Sequence, residues 1–351
     1  MPKTIVIRVL SARVFLWLSL SLLLPLSLTA CSKDAAEKTE DLDSLISSGK
    51  KVEAEKLIEK RLAALSEAEK LQQLCRLADL KSTDPEGVSE SLLKTIATLS
   101  SKLYGLSSKE YAEANKRLGQ YYFRKREFQN SVDAWSKAGN FYEQSGDNCG
   151  EMEALSGRIA GECASGKCTQ QAELYEKLLK LREACLGKNN PQTVIACSLL
   201  AEIYSRQKRF SDSLPLFQRV YDSSKSEEER AAASINLGRN YLELREFDKA
   251  KSLIDTALKY AEANPVYGRI NPLLIAALKA KLYYFDQKKM YKDELSVAEK
   301  IMKLNEAQMG PAHPQLAGTL LIYAEALERA GKKKESETVF LRIKALEAKK
   351  D

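Results

Sequence analysis

The sequence predicts an all-α protein built from repeated pairs of helices, and three observations lead to that prediction. Segments 100–122, 181–204 and 304–327 align with one another, and a glycine occupies the same place in each: Gly105, Gly187 and Gly310. These glycines are 82 and 123 residues apart, which is twice and three times 41. Apolar residues also recur at helical spacing, and the alternation typical of strands is absent.

Each repeat has the same internal order of a helix, a short basic turn, an aromatic residue and a second helix. Segments 118–138, 200–220 and 237–257 follow this order, and a tyrosine precedes a phenylalanine by six residues in each. The tyrosines Tyr122, Tyr204 and Tyr241 are predicted to fill the space between helices. The small residues Gly119, Ala201 and Gly238 are predicted to let the paired helices approach closely.

Leu237-Gly238-x-x-Tyr241, together with Ala250, Ile254 and Ala257, resembles the tetratricopeptide repeat (TPR). The longer units, linked by Leu-Gly-x-x-x-Pro, resemble the kinesin-light-chain subtype of that repeat. The resemblance covers residues 85–345 well and residues 40–84 more weakly, where 48–65 provides a second helix. The copy at 149–170 is irregular around Gly161 and Gly166. The resemblance implies a right-handed superhelical solenoid of seven to eight units with a concave groove.

The first 30 residues have the pattern of an export signal. Lys3, Arg8 and Arg13 precede an apolar run from Val14 to Leu28, and no acidic residue occurs among them. The run has 15 residues, whereas about 20 are needed to span a bilayer. We therefore expect a cleaved signal rather than a membrane-spanning helix.

The end of this signal resembles the lipobox of bacterial lipoproteins, with Leu28-Thr29-Ala30-Cys31 matching Leu-x-small-Cys. The resemblance implies cleavage before Cys31 and acylation of that residue, which anchors the chain in a membrane. The domains expected are a signal at 1–30, a lipidated cysteine and tether at 31–40, and a TPR solenoid at 41–351. Ser32 rather than Asp follows the cysteine, which favours the outer membrane if the source has two membranes.

Charge and cysteine content limit the possible classes of function. The net charge of +7 falls to about +4 without the signal, and both signs are abundant, so nucleic-acid binding is not expected. Six cysteines remain besides Cys31, and export permits disulfides. Cys163 and Cys168 are candidates to close a small loop, and Cys185 and Cys197 flank another. The alternative is that these thiols are small apolar residues of the core.

No arrangement in the sequence points to catalysis, a cofactor or a metal. Phosphate-binding, zinc-protease and serine-hydrolase motifs are absent. The cysteines form no Cys-x-x-Cys pattern, and the one histidine, His313, lies in a loop whose His-Pro is common in the resembled subtype. We therefore expect a non-enzyme that binds its partners without a cofactor.

In the resembled family, one face of each first helix lines the groove, and a spacing of four keeps residues on one face. This rule selects Lys116, Gln120, Arg124, Ser198, Glu202, Arg206, Ile235, Arg239, Glu243, Lys279, Tyr283, Gln287, Leu321, Glu325 and Arg329. The set holds six bases and three acids, so an acidic or carboxylate-bearing peptide is favoured. The alternative is an ordinary solvated face.

A second charge pattern concerns the turns inside the units. Basic residues occur at 124–126, 208–209, 245, 288–289 and 332–334, whereas acidic residues occur at 82–87 and 225–230, which are expected in the opposite connections. The pattern predicts one basic edge that meets anionic headgroups or an acidic partner. The alternative is that polar turns simply accommodate Lys and Arg.

Two functions follow from these features. The first is a membrane-anchored scaffold or adaptor that binds other proteins in the bacterial cell envelope. The second is a protein whose groove binds a glycan or cell-wall polymer. The sequence identifies no partner.

Overall fold

The computed structural model describes residues 40–82, 87–167, 172–266 and 270–348, and these residues form sixteen α-helices and two short 3-10 helices. The predicted all-α fold is therefore confirmed. The predicted signal, lipobox and Cys31 lie outside the described residues. Within the described ranges, no helix is both long and apolar enough to cross a membrane.

The chain divides into two compact units, the first ending at Cys185 and the second beginning at Leu186. Unit 1 holds α1 (Glu40–Ser47), α2 (Lys51–Arg61), α3 (Glu67–Lys81), α4 (Glu90–Tyr104), α5 (Lys109–Arg124), α6 (Phe128–Ser145), α7 (Asn148–Ala164) and α8 (Ala172–Leu186), whose last residue belongs to unit 2. Unit 2 holds α9 (Pro191–Arg206), α10 (Phe210–Asp222), α11 (Glu227–Glu243), α12 (Phe247–Ala263), α13 (Pro272–Gln287), α14 (Tyr291–Met309), α15 (Ala317–Arg329) and α16 (Lys333–Glu347).

Consecutive helices pair in chain order, which gives eight pairs among the described residues. In unit 2, α11 and α13, the first helices of two neighbouring pairs, also pack directly on each other. The core of α11–α14 is mostly alanine and aliphatic residues, including Leu242, Ala250 and Ile254. Each helix thus buries its apolar stripe against the next helices along the chain, as expected of a repeat protein.

Local sequence fixes where the helices begin. Ser66 and Ser226 form capping boxes with Glu69 and Glu229, so that side chains satisfy the first free N–H groups of α3 and α11. α9 and α13 begin with proline after an asparagine cap, and proline is well tolerated at that position because its missing N–H is not needed there.

The first helix of most pairs ends in a Schellman motif, in which a left-handed residue closes the helix. In the α11–α12 turn, the Arg245 N–H donates to the Leu242 carbonyl, and the Glu246 N–H donates to the Tyr241 carbonyl. Tyr122 and Tyr204 accept the equivalent bond in their own turns. The six-residue Tyr–Phe spacing is therefore the length of this turn, because the phenylalanine is the first residue of the second helix.

The predicted roles of the small residues are confirmed, and those of the tyrosines in part. Ala201 is fully buried. A Cβ at Gly119 would collide with Trp135 of the neighbouring helix, and a Cβ at Gly238 would lie in tight contact with Ile254. Tyr122 and Tyr204 are buried, whereas Tyr241 is only partly buried between two clusters.

Two expectations about connections differ from the structure. Residues 82–87 connect α3 to α4, the first and second helices of one pair, and not one pair to the next. The acidic 82–87 segment, of which 83–86 lie outside the described residues, is therefore not an opposite connection. The irregular copy at 149–170 is for the most part a continuous helix, α7, in which Gly150, Gly157 and Gly161 lie against side chains of α6. Gly166 follows the end of that helix in a left-handed conformation.

A disulfide in the structure joins a different pair of cysteines from the two pairs that the sequence suggested. Cys149 bonds Cys185, with Cα atoms 5.6 Å apart, and so joins the start of α7 to the end of α8. Cys185 is therefore not joined to Cys197, which is buried and not disulfide-bonded. Cys163 is also held in a disulfide, but Cys168 lies outside the described residues, so the Cys163–Cys168 pairing stays a prediction. Cys75 is not disulfide-bonded.

Candidate functional site

The candidate site is a charged face on the first helices of unit 2. Glu202 and Arg206 lie on α9, Arg239 and Glu243 on α11, and Lys279 and Tyr283 on α13. Each pair is four residues apart, which puts both side chains on one side of their helix. We call this set the charged face.

Arg239 and Lys279 are the unusual members of the charged face. They are close enough that the positive charge of Arg239 lowers the pKa of Lys279, in addition to a larger lowering by burial. Among the described residues, neither has an ion-pair or hydrogen-bond partner. Two cations thus lie close together, one of them partly withdrawn from water, and neither forms an ion pair with a carboxylate of the described residues. Such an arrangement is unfavourable alone and favourable once an anion binds.

Glu202 and Arg206 flank this pair on α9. The Arg206 guanidinium lies 3.6 Å from the Glu202 carboxylate. Burial raises the pKa of Glu202, and the positive charges of Arg206 and Arg239 oppose that rise. Glu202 thus partly balances the cations on its side of the face, whereas Lys279 is left without such a partner.

Tyr283 and Glu243 close the other side. The Tyr283 hydroxyl donates to Glu243 Oε1 at 2.9 Å. The pKa of Tyr283 is raised, mainly by burial and then by this bond to a carboxylate, so the phenol keeps its proton. The Glu243 carboxylate therefore accepts a hydrogen bond from the Tyr283 phenol. The guanidinium of Arg239, one helical turn away, donates to no side chain among the described residues.

Arg329, which was predicted to line the groove, forms ion pairs with carboxylates of its own and neighbouring helices. It donates to Glu294 at 2.5 Å and lies 3.8 Å from Asp286 and 4.0 Å from Glu325. Burial lowers the pKa of Arg329, but the bond to Glu294 and the other carboxylates more than offset this, and its pKa is raised. Arg329 and Glu325 therefore contribute little free charge.

The sequence missed Glu294, which is fully buried at the fourth position of α14. Ser131, Ser213, Ala250 and Ser336 are fully buried at the same position of their own second helices. A carboxylate at a position otherwise held by small residues was the available signal. It predicts a cationic partner from the next helix, and Arg329 is that partner.

Unit 1 contributes less than the sequence predicts. Lys116 is buried at 8 % exposure and pairs with Glu153 at 2.7 Å and Glu113 at 3.5 Å, so it bridges α5 and α7. Gln120 is partly buried and Arg124 is exposed. Lys116 is unsuited to contact a partner because its charge is already neutralised in the core.

The remaining predicted positions have structural surroundings. Ile235 is buried at 3 % exposure, and Leu321 packs on the core of the last pair. Ser198 is partly buried and Gln287 is exposed. His313 Nδ1 accepts the Gln315 N–H and so caps the 3-10 turn before α15. No group of three or more His, Cys, Asp or Glu is placed to hold a metal ion within the described ranges.

Comparison with known proteins agrees with these repeats. Residues 196–231, which cover α10 and parts of α9 and α11, match the sequence pattern of the tetratricopeptide repeat. No curated protein matches the chain. The fold is accordingly all-α and contains tetratricopeptide repeats.

Two similar solved structures have low sequence identity. One comes from Podosopora anserina and has nearly identical TPR-like repeats of a kinesin light chain. It is 16% identical, with a TM-score of 0.45, over 63% of this chain and 96% of its own. The other is BtubC (BKLC) from P. vanneervenii, 18% identical, with a TM-score of 0.26, over 83% of this chain and 91% of its own.

Proposed function

We propose that this protein is a lipid-anchored scaffold of the bacterial cell envelope, and that its charged face binds an acidic or carboxylate-bearing segment of another protein. TPR repeats bind proteins and peptides in general, which supports the coarser part of this function. The finer part depends on the chemistry of unit 2 and on the N-terminal sequence.

The observation that carries the acidic partner is the unpaired Arg239–Lys279 couple. A carboxylate between them relieves the repulsion between the two cations and restores the pKa of Lys279 towards its ordinary value of 10.5. Arg239 offers a planar fork of donors that suits a carboxylate, and Lys279 adds a point charge. Glu202 and Glu243 on either side disfavour a segment with acidic residues along its whole length, so we expect one or two carboxylates at defined positions.

The proposed export has separate support. Leu28-Thr29-Ala30-Cys31 has the lipobox pattern, and the Cys149–Cys185 disulfide fits an oxidising compartment outside the cytoplasm. Acylation of Cys31 would provide more than one chain, which is what stable anchoring requires.

Selection from a library of random twelve-residue peptides tests the partner chemistry directly. The full chain should enrich peptides with one or two Asp or Glu residues, and the enrichment should fall at high salt. The double variant Arg239→Gln/Lys279→Met should lose it. A matched control, Lys259→Gln/Lys344→Gln, removes two exposed charges from the second helices α12 and α16 and should select as the native chain does.

Two outcomes would overturn the acidic partner: equal enrichment by the double variant and the native chain, or enrichment of apolar peptides without acids. Retention of cell-wall glycan by the native chain, with no peptide selected, would favour the polymer-binding function instead. Circular dichroism of each variant checks that the helices remain.

The anchor is tested by feeding an alkyne-labelled fatty acid to bacteria that express the chain. We expect label on the native protein and none on Cys31→Ser. Label on both proteins, or on neither, would contradict the lipoprotein assignment and leave the peptide selection unaffected.

A further inference from the structure

The turns between first and second helices of unit 2 place basic residues in a backbone conformation that favours glycine. Lys208, Arg245 and Lys289 have φ values of 61°, 61° and 56°. Each is the left-handed residue of the Schellman motif that ends α9, α11 or α13. A side chain in this conformation crowds the following carbonyl, and glycine avoids that cost.

The chain uses glycine at this position elsewhere. Gly146 ends α6 and Gly331 ends α15 with the same pair of hydrogen bonds and φ values of 71° and 81°. Even there, the turn after Gly331 continues with three lysines, Lys332–Lys334. All four turns of unit 2 are therefore basic, and three of them carry the base at a strained residue. A general need for polar residues in turns does not explain this, because asparagine would provide a polar side chain with less strain.

Contacts within unit 2 show that neighbouring turns adjoin. The Lys288 ammonium lies 5.0 Å from the ring of Phe247, which begins α12 in the preceding turn. Arg329, at the end of α15, reaches Asp286 and Glu294 on either side of the preceding turn. Asn240 Nδ2, near the end of α11, donates to the Phe210 carbonyl at the end of the α9–α10 turn at 3.0 Å. These contacts place the four turns along one edge of unit 2.

We call this edge the turn edge and define it by the turn bases whose side chains form no ion pair, hydrogen bond or cation–π contact among the described residues. They are Lys208, Arg245, Lys289, Lys333 and Lys334, and all are exposed. Nearby carboxylates pair with other bases: Asp212 with Arg209, Glu246 with Lys249, and Glu335 with Lys332. One connection between pairs, at residues 225–230, differs in sign because it contains three glutamates and two bases.

We infer that the turn edge binds a surface of anionic lipid headgroups. The bases are long and exposed, and none of their side chains forms an ion pair or hydrogen bond among the described residues. Such charges suit many mobile anions in a plane better than one folded acidic protein, which requires fixed complementary geometry. The aromatic residues of these turns, Phe210, Phe247 and Tyr291, are partly buried and do not offer the stacking surface of single-strand nucleic-acid binders.

The identification of the bound surface as a membrane rests on the proposed lipid anchor. The charge pattern of the turn edge is observed independently of that proposal. A chain held at Cys31 would keep its solenoid near a headgroup layer, and the turn edge would add a second contact that depends on salt. The turn edge carries separate residues from the charged face of Arg239 and Lys279. The two surfaces can therefore be altered independently.

Vesicle flotation of the full chain tests this inference in a Cys31→Ser background, which cannot be acylated at that site. The probes are vesicles of phosphatidylcholine alone and vesicles that contain 30% phosphatidylglycerol, at about 50 and 300 mM salt. We expect stronger binding to the anionic vesicles at low salt. The triple variant Lys208→Gly/Arg245→Gly/Lys289→Gly should weaken that binding by about fivefold for each base removed.

The triple variant is suited to this test because glycine relieves the turn strain, so a loss of binding cannot be attributed to unfolding. The matched control Lys259→Gln/Lys303→Gln/Lys344→Gln removes the same charge from exposed positions of the second helices α12, α14 and α16. It should retain most of the binding. Every chain carries the same N-terminal segment, so any apolar affinity of that segment cancels in the comparison.

Equal binding by the triple variant and the control would overturn the inference, as would binding that ignores anionic lipid or salt. Binding to heparin without binding to anionic vesicles would also overturn it, in favour of a different polyanion. The fatty-acid label at Cys31 is measured separately. A result that contradicts acylation of Cys31 can therefore be distinguished from one that contradicts lipid binding by the turn edge.

Discussion

Helices α5–α7 of unit 1 and helices α11–α13 of unit 2 achieve the same packing with different residues. In unit 1, Trp135 of α6 is 2 % exposed and fits only because Gly119 and Gly157 face it from α5 and α7. A Cβ at Gly157 would lie 2.2 Å from the indole. In unit 2, Ile254 and Ala250 face Gly238, where a Cβ would lie 3.0 Å from Ile254.

At Trp135, the large aromatic side chain fits because both neighbouring helices provide glycine. The same exchange recurs at Tyr142, where a Cβ on Gly150 would lie 2.3 Å from the ring. It explains why the copy at 149–170 departs from the repeat pattern, since its glycines match the side chains of α6. Unit 1 also has a disulfide at this copy, whereas no disulfide occurs among the described residues of unit 2.

The largest effect is expected when the disulfide, which distinguishes unit 1 from unit 2, is removed. Cys149→Ser/Cys185→Ser should destabilise unit 1 by about 3–4 kcal/mol, because the bond closes a loop of 36 residues in the unfolded chain. Hydrogen exchange should rise over α7 and α8 and stay unchanged over α11–α14. Equal acceleration in both units would contradict the view that unit 1 alone depends on this bond.

The next effect concerns the glycines. Gly157→Ala should cost about 2–3 kcal/mol, since the indole has no room to move in a packed core. Gly238→Ala should cost about 1 kcal/mol, because the Ile254 side chain can shift by a few tenths of an ångström. Fluorescence of Trp135 reports the unfolding of unit 1, and hydrogen exchange reports that of unit 2.

Gly318→Ala is the control for these two substitutions. Gly318 lies in α15 with open space around its Cβ position, so alanine should stabilise the helix by up to about 1 kcal/mol. If Gly157→Ala proves as harmless as this control, the aromatic–glycine fit is not what holds α6 against α7.

A smaller effect is expected at the left-handed turn residues, which both units contain. Arg126→Gly in unit 1 and Arg245→Gly in unit 2 should each stabilise by about 0.5–1 kcal/mol, because both residues are left-handed at 62° and 61°. Gly331→Ala should destabilise by about 1 kcal/mol for the same reason. Thermal unfolding measures all three, and opposite signs for the two arginines would show that the turns are not equivalent.

The smallest effect concerns Lys279. Its pKa in the folded protein lies below 10.5, so the unfolded chain binds more protons between those two values and stability rises with pH across that window. Lys279→Met should remove this rise and change stability at neutral pH by less than about 1 kcal/mol. Acidic-peptide binding by the native chain should weaken as pH rises through the same window. A native curve that runs parallel to that of the Met variant would contradict a depressed pKa.

Much of the fold was predictable because its signals are local. The 41-residue period, the Tyr–Phe spacing and the proline after an asparagine cap each lie within a few turns of helix. For the candidate site, the sequence predicted only which face of each first helix carries it. Spacing by four selected Arg239 and Lys279, whose side chains form no ion pair among the described residues, and by the same rule it selected Lys116 and Arg329, whose side chains do.

Lys116 and Arg329 could not be separated from Arg239 and Lys279 by sequence, because their partners are distant in the chain. Glu153 is 37 residues from Lys116, and Glu294 is 35 residues from Arg329. The left-handed basic residues, by contrast, had an available signal. Each comes two residues before the start of a second helix, at the position where the same turn elsewhere uses glycine.

By itself, the sequence determined the class of fold, the order of helix pairs and the basic turns, because helical period, caps and turn length depend on neighbouring residues. Only the tertiary structure decided which charges remain unpaired, which cysteines bond and which glycines make room for Trp135. Those outcomes depend on contacts between helices some 15 to 40 residues apart, and burial makes each of them energetically large. The same basic residue type therefore holds two helices together at Lys116 and stays available for an anion at Lys279.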